Sequence, residues 1–274
     1  MCGIVAYIGT KPAQNILIEG LKRLEYRGYD SAGIATLEDD GLHVVRAIGR
    51  VANVEDKLET MGGLRGSIGI AHTRWATHGG VTEINAHPHQ DDRHGIAVIH
   101  NGIIENYAAL KTWLQERGHV FTSQTDTEVI SMLVSELYEG DLETAVQAAL
   151  REVTGAYAIA VICAKEPGTL VVARKGSPLM VGVGNGEYVV ASDPSAIVAH
   201  TTQAFSLDDY NVVKITRQGF KTSDINNTPV TPKIMQLELE LQEIELGGYA
   251  HFMQKEIFEQ PKALTNCFRG RIDD

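Results

Sequence analysis

The sequence predicts an α+β protein of antiparallel sheets flanked by helical layers, and three observations predict it. Strand-like apolar runs sit at both ends of the chain, helical periodicity fills the stretch between them, and the later strands follow one another closely enough to form hairpins. A chain of 274 residues, 43% of them apolar, can bury an ordinary core as one large domain or two small ones.

Residues Ile4 to Ile8 read as a buried strand, after which Pro12 opens a helix with Leu17, Leu21 and Leu24 on one face and a stop at Gly28. Apolar runs at Ile68–His72 and Ile96–His100 read as interior strands, each feeding a loop rich in Gly, Asn, Thr or His. Asn106 is placed to cap a helix that buries Leu110, Trp113 and Leu114 and stops near Gly118. Thr125-Asp-Thr-Glu128 fits a capping box ahead of Val129, Ile130, Leu133, Val134 and Leu137, which puts Asp126 in the first helical turn. Short strands are expected at 157–163, 169–174, 179–184, 187–191 and 211–216, with Asn185-Gly186 as a turn. Around residue 240 the composition shifts to Gln and Glu, and Gly247-Gly248 precedes a helix expected near His251. The expected division is therefore 1–240 and 241–274, the second part reading as a linker and an unfinished beginning.

The net charge of -11 repels phosphate backbones and argues against a nucleic acid partner. No basic stretch followed by an apolar run opens the chain, and no window approaches the ~20 apolar residues of a membrane span, so a cytoplasmic protein is expected. Cys2, Cys163 and Cys267 are odd in number and widely spaced, which indicates neither a disulfide framework nor a zinc site. Cys163 ends an apolar run and is expected to be a core residue. Ten histidines invite a metal reading, but His87-Pro-His89 lacks a companion set of zinc type, and no metal or cofactor is expected.

Removal of Met1 would place the Cys2 thiol and a free α-amino group on one residue. With ordinary pKa values of about 8.5 and about 8, the amine can take the thiol proton near neutrality. Taken alone, a penultimate cysteine on a buried strand is a packing residue, and other motifs have to overturn that. Acyl transfer from an amide needs donors aimed at the oxyanion; Asn101-Gly102 offers a side-chain amide and an unhindered N–H, though Asn-Gly is also a favoured hairpin turn. A free amino acid calls for an Arg fork and an acid, for which Arg74 and Asp126 are candidates. Taken in isolation Arg74 reads first as an idle surface residue, and Asp126 as a carboxylate favoured by its helix dipole, a role that can coexist with binding. Trp75 reads either as a core anchor or as a flap over a pocket.

Six segments, Met1-Cys-Gly-Ile4, Leu24-Glu-Tyr-Arg-Gly-Tyr-Asp-Ser-Ala-Gly33, Ala71-His-Thr-Arg-Trp-Ala-Thr-His-Gly79, Asn85-Ala-His-Pro-His89, His100-Asn-Gly-Ile-Ile-Glu-Asn106 and Thr125-Asp-Thr-Glu-Val129, together resemble the glutaminase domain of the glutamine–fructose-6-phosphate aminotransferases, or glucosamine-6-phosphate synthases. These are class II glutamine amidotransferases. The likeness spans most of the first 240 residues, and Tyr249 to Pro261 is similar to the passage into the family's sugar isomerase portion. It implies a four-layer α/β/β/α sandwich of the N-terminal-nucleophile hydrolase type. It further implies Cys2 as nucleophile with its own amine as base, Asn101 and Gly102 as the oxyanion hole, and Arg74 and Asp126 on the glutamine carboxylate and amine. Thr77 and His78 match other pocket positions, and Trp75 a gate on a mobile loop. The implied reaction is glutamine hydrolysis through a thioester, with ammonia passed to fructose 6-phosphate by isomerase domains expected to be missing from this chain; a homodimer of the full-length enzyme is left open. Two alternatives remain at this point: another class II amidotransferase, such as amidophosphoribosyltransferase or asparagine synthetase, or a silent glutamine-binding regulatory domain.

Overall fold

Two-sided burial of the strands decides the layering. In the computed structural model, which describes residues 2–237 and 248–268 apart from the side chains of Phe252 and Asn266, strand β1 (Gly3–Ile8) buries Ile4, Ala6 and Ile8 on one face and Val5 and Tyr7 on the other. A strand apolar on both sides needs a layer against each face.

The strands that follow are β2 (Ser31–Glu38), β3 (Gly41–Ile48), β4 (Ile68–Arg74), β5 (His89–Asp91), β6 (Ile96–Ile104), β7 (Gly155–Cys163) and β8 (Leu170–Lys175). After them come β9 (Met180–Val183), β10 (Tyr188–Ala191), β11 (Gln203–Ser206), β12 (Asn211–Thr216), β13 (Gly219–Asp224) and β14 (Met235–Gln236). They form an eight-stranded sheet in the order β14-β11-β9-β10-β1-β4-β2-β3 and a six-stranded sheet in the order β13-β12-β8-β7-β6-β5, antiparallel at every ladder.

Ile4, Ile70, Ile99, Ala160, Val172 and Phe205 meet between the sheets. Helices α1 (Ala13–Leu24) and α2 (Val51–Met61) cover the outer face of the first sheet, α1 setting Leu17 and Leu21 over β1 and α2 setting Val54 and Leu58 over β2 and β3. Helices α3 (Tyr107–Gln115), α4 (Thr127–Glu136) and α5 (Leu142–Glu152) cover the second, where Ile130, Leu133 and Val146 meet Tyr157, Ile159 and Val161. The result is the four-layer α/β/β/α sandwich.

Several local expectations are corrected. Strand β6 runs through Asn101-Gly102 to Ile104, pairing Gly102 with Tyr157, so this Asn-Gly is strand interior rather than a turn. Asn185-Gly186 is a turn as expected: Gly184 N–H donates to the Glu187 carbonyl at 2.9 Å and Gly186 has φ +71°. The capping box is only half made. Thr125 Oγ1 accepts from Glu128 N–H at 3.4 Å, but the Glu128 carboxylate turns to the N–H groups of Thr122 and Ser123, at 2.9 and 2.8 Å, because these would otherwise be unpaired ahead of the helix. Asn106 precedes α3 without capping it through its side chain, which instead bridges Glu152 and Thr154; of the three apolar residues expected inside, only Leu114 is fully buried. The hairpin β2–β3, the helices α2 and α5, and the strands β11 and β13 go beyond the elements expected.

Cys163 is fully buried under α4 and α5, and Cys267 is exposed on helix α6 (Phe252–Phe268). The chain divides into two compact units, Met1–Leu237 and Glu238–Asp274. The expected linker at 241–247 lies outside the described residues. No helix among the described residues is long and apolar enough to cross a membrane.

Candidate active site

Strand parity brings the polar residues to one place. On the face between the sheets β1 carries Ile4 and Ile8, β4 carries Ile68 and Ile70, and β6 carries Ala97 and Ile99. Stepping by two along each strand replaces these with Cys2, with His72 and Arg74, and with Asn101, because side chains alternate across a sheet. All lie at one end of the sandwich, where the interlayer core gives way to a cavity of about 650 Å³. That size is ordinary for a small-molecule site, typically about 300–1,000 Å³. Cys2, Arg74, Trp75, Thr77, His78, Asn101, Gly102 and Asp126, every candidate named from sequence, line it.

The Cys2 sulfur accepts a hydrogen bond from the Trp75 N–H at 3.2 Å. Burial pushes the thiol above its ordinary pKa, and the Trp75 N–H pulls in the opposite direction. Met1, whose removal bears on the base, lies outside the described residues. Asn101 donates from Nδ2 to the Cys2 carbonyl at 3.1 Å and accepts on Oδ1 from His72 Nε2 at 2.9 Å. Gly102 has φ +139°, and a Cβ there would stand 2.0 Å from the Ala156 carbonyl oxygen, so only glycine fits.

Arg74 is buried, not the idle surface residue of the alternative reading, and its guanidinium donates to the carbonyls of His78 and, at 3.2 Å, Gly80. It thereby clamps the loop that carries Thr77 and His78. Asp30 steadies the same loop by accepting from Ala76 N–H. Asp126 accepts from Ile104 N–H at 2.8 Å, which ties the start of α4 to the end of β6. Trp75 is 53% exposed with its ring edge-on to Tyr29 at 6.2 Å, which rules out the core-anchor reading.

Along the inner wall of the cavity runs a file of buried imidazoles that sequence did not assign, of which His87 and His100 line it and His72 and His89 lie behind. The His72 and His87 rings are 4.1 Å apart, those of His87 and His89 4.9 Å, and His89 Nε2 meets Thr125 Oγ1 at 2.9 Å. Burial lowers the pKa of His72 to about 3, puts His87 and His89 well below the usual imidazole range, and lowers His100 against the opposing pull of Asp126. A polar residue on an otherwise apolar strand face was the available signal for His72 and His100. Ser177 and Pro178, which also line the cavity, carried none. Among the described residues, Glu38, Asp40 and His43 are the group whose ligand atoms lie close enough to hold a metal, and they do not line this cavity.

The arrangement, a thiol beside amide donors with an arginine and an acid across the cavity, suits attack on an amide borne by a small zwitterion. Comparison with known proteins agrees. The family profile described as glutamine amidotransferase domain matches residues 59–244. The chain is 50% identical over 278 residues to the glutamine–fructose-6-phosphate aminotransferase (isomerizing) of Bacteroides thetaiotaomicron, covering 100% of this chain and 45% of that protein. It is 49% identical to that of Clostridium perfringens, covering 99% and 44%, and 47% identical to that of Thermus thermophilus, covering 99% and 45%. The chain thus spans under half the length of the curated relatives it matches. Among solved structures it is similar to the glutamine phosphoribosylpyrophosphate amidotransferase of B. subtilis complexed with ADP and GMP, with a TM-score of 0.72, 27% identity, and coverage of 82% of this chain and 49% of that one. It shares the N-terminal-nucleophile hydrolase fold of these neighbours.

Proposed function

Since the chain belongs to the glutamine amidotransferase domain family, class II, we propose that it hydrolyses the side-chain amide of L-glutamine with Cys2 as nucleophile. The observation that carries the reading is the convergence of every sequence-named candidate on one cavity around the Cys2 sulfur.

After loss of Met1, the α-amino group of Cys2 takes the thiol proton, and the thiolate attacks the glutamine amide carbon. The oxyanion that forms is met by Asn101 Nδ2 and the Gly102 N–H, donors of a kind whose single removal costs about 10²–10³ in kcat. Collapse breaks the C–N bond, the protonated α-amine gives its proton to the leaving nitrogen, and ammonia departs. A γ-glutamyl thioester remains; water, deprotonated by the same amine, cleaves it to glutamate and restores the thiol. Arg74 pairs with the substrate α-carboxylate and Asp126 with its ammonium, Thr77 and His78 complete the pocket, and Trp75 gates it.

The whole protein to which this domain belongs is proposed to be a glutamine–fructose-6-phosphate aminotransferase of the cytoplasm, in which the ammonia converts fructose 6-phosphate to glucosamine 6-phosphate. Identities of 47–50% to such enzymes, against 27% to the phosphoribosylpyrophosphate enzyme, support this over other class II amidotransferases. Residues 1–240 are then the glutaminase domain and 241–274 the passage toward the isomerase portion.

The test joins intact mass, which reports loss of Met1, to ammonia release from glutamine by wild type and Cys2→Ala. Release by the processed wild type alone is expected. Equal release by both ends the nucleophile assignment, and tight glutamine binding without release by the processed protein makes it a binding domain.

A further inference from the structure

We infer that His72 positions the reaction's oxyanion donor: its neutral imidazole holds the Asn101 amide in the one orientation that turns Nδ2 to the reacting carbonyl. The inference rests on the glutaminase reading above and adds a residue to which that reading gives no role.

Hydrogen-bond logic fixes every atom. The Cys2 carbonyl only accepts, so the Asn101 atom 3.1 Å from it is the amide nitrogen. Oδ1 therefore faces His72 Nε2 at 2.9 Å, and because Oδ1 also only accepts, Nε2 carries the proton. His72 is fully buried on β4, between β1 and β2 and beneath the His87 ring at 4.1 Å, which keeps the ring in place and uncharged. With Nε2 protonated in a neutral ring, Nδ1 is a bare lone pair, in accord with its having no hydrogen-bond partner among the described residues.

One hydrogen of Asn101 Nδ2 is engaged by the Cys2 carbonyl, which leaves the other for an oxyanion. A half-turn of the amide would exchange oxygen and nitrogen, setting a carbonyl dipole against the oxyanion and against the Cys2 carbonyl. Asparagine has no intrinsic preference between these states, since its terminal torsion is broad and roughly two-fold. The Cys2 carbonyl sets one, and the Nε2–H of His72 strengthens it from the other side, because the flipped amide would point its own N–H at the Nε2–H. His72 does not line the cavity and acts only through Asn101, so it is a positioning residue.

The experiment measures kcat and KM for ammonia release from glutamine by wild type, His72→Phe and His72→Gln, each with Asn101 intact and with Asn101→Ala. Phenylalanine keeps the ring volume without the donor and is expected to lower kcat about 10- to 100-fold with KM within about twofold, less than the loss of a whole donor. Glutamine, whose amide N–H₂ reaches about as far as the imidazole Nε2, is expected to return most of that loss. With Asn101→Ala present, His72→Phe should cost no more than about a further twofold, since the group it positions is gone. An unchanged kcat in His72→Phe, no rescue by His72→Gln, or an equal loss in both backgrounds overturns the inference. Should His72→Phe not fold, ¹⁵N NMR of the wild-type imidazoles between pH 6 and 8 decides: the neutral Nε2–H tautomer is expected at His72, and an Nδ1–H tautomer or an imidazolium overturns it. Processed wild type that releases no ammonia sinks the glutaminase reading instead, while the tautomer measurement still tests the His72–Asn101 bond.

Discussion

The backbone N–H of Trp75 points at the sulfur of Cys2 from 3.2 Å, so the loop that follows β4 and the residue that precedes β1 are joined at the candidate nucleophile. Burial nonetheless dominates and keeps the thiol protonated at neutral pH. In protein that retains Met1, alkylation of Cys2 by iodoacetamide, followed by peptide mass, should therefore keep rising through pH 9. A plateau below pH 8 contradicts this. Protein that has lost Met1 should react faster near pH 8, where its amine, with a pKa of about 8, serves as a local base.

Arg74 has two tasks: holding the carbonyls of His78 and Gly80, and presenting its remaining N–H groups to the cavity. Arg74→Ala is expected to raise the KM for glutamine at least tenfold, the order expected for losing a charge-assisted bond worth about 1.5–3 kcal/mol. Arg74→Lys should recover only part, because an ammonium cannot fork. Steady-state kinetics decide, and an unchanged KM for Arg74→Ala removes the carboxylate role.

Two glycines with positive φ should respond differently to alanine. At Gly102 the new Cβ meets the Ala156 carbonyl oxygen at 2.0 Å, whereas at Gly186, φ +71°, nothing lies within 4 Å. Gly102→Ala is expected to destabilise by about 3 kcal/mol or more and to lose activity, and Gly186→Ala to cost about 1 kcal/mol with activity unchanged. Urea unfolding beside ammonia assays measures both; equal stabilities of the two variants would refute the contrast.

Acid should unfold this protein from an early pH. His72, His87 and His89 are neutral in the folded state with lowered pKa values, while in the unfolded chain they take up protons near pH 6.5. The unfolded state then binds more protons, so stability falls as pH drops below about 6.5, and for His72 the loss continues to about pH 3. Each such imidazole removes up to about 1.4 kcal/mol per pH unit in its window. Urea midpoints at pH 7.5, 6.0 and 5.0 should decline in that order, and a midpoint constant across this range is the contrary result.

How far the sequence exposes this architecture depends on what each segment needs from its neighbours. A strand such as β7 announces itself because Ile, Val and Ala fill both faces. The hairpin β2–β3 is less legible: β3 is half-buried along most of its length, and β2 opens with Ser31-Ala-Gly33. Gly33 is there because a Cβ would press on the His87 carbonyl oxygen at 2.2 Å, a long-range demand invisible from local pattern. Helices α2 and α5 did carry signal, in Val51, Val54 and Leu58 and in Leu142, Val146 and Leu150. For Asn101-Gly102 local chemistry pointed to a turn, and pairing with Tyr157 across the ladder prevails. The gathering of Cys2, Arg74 and Asn101 follows from strand parity once register is known, and register is what one sequence does not supply.

Strand β1 sits inside its sheet, bonded on one flank to residues 68–73 and on the other to residues 188–191. During synthesis the opening strand must wait for most of the polypeptide to emerge before its second neighbour exists. The residue that carries the candidate nucleophile is therefore set in its final place late, once residues 188–191 are there to pair with the strand that follows it.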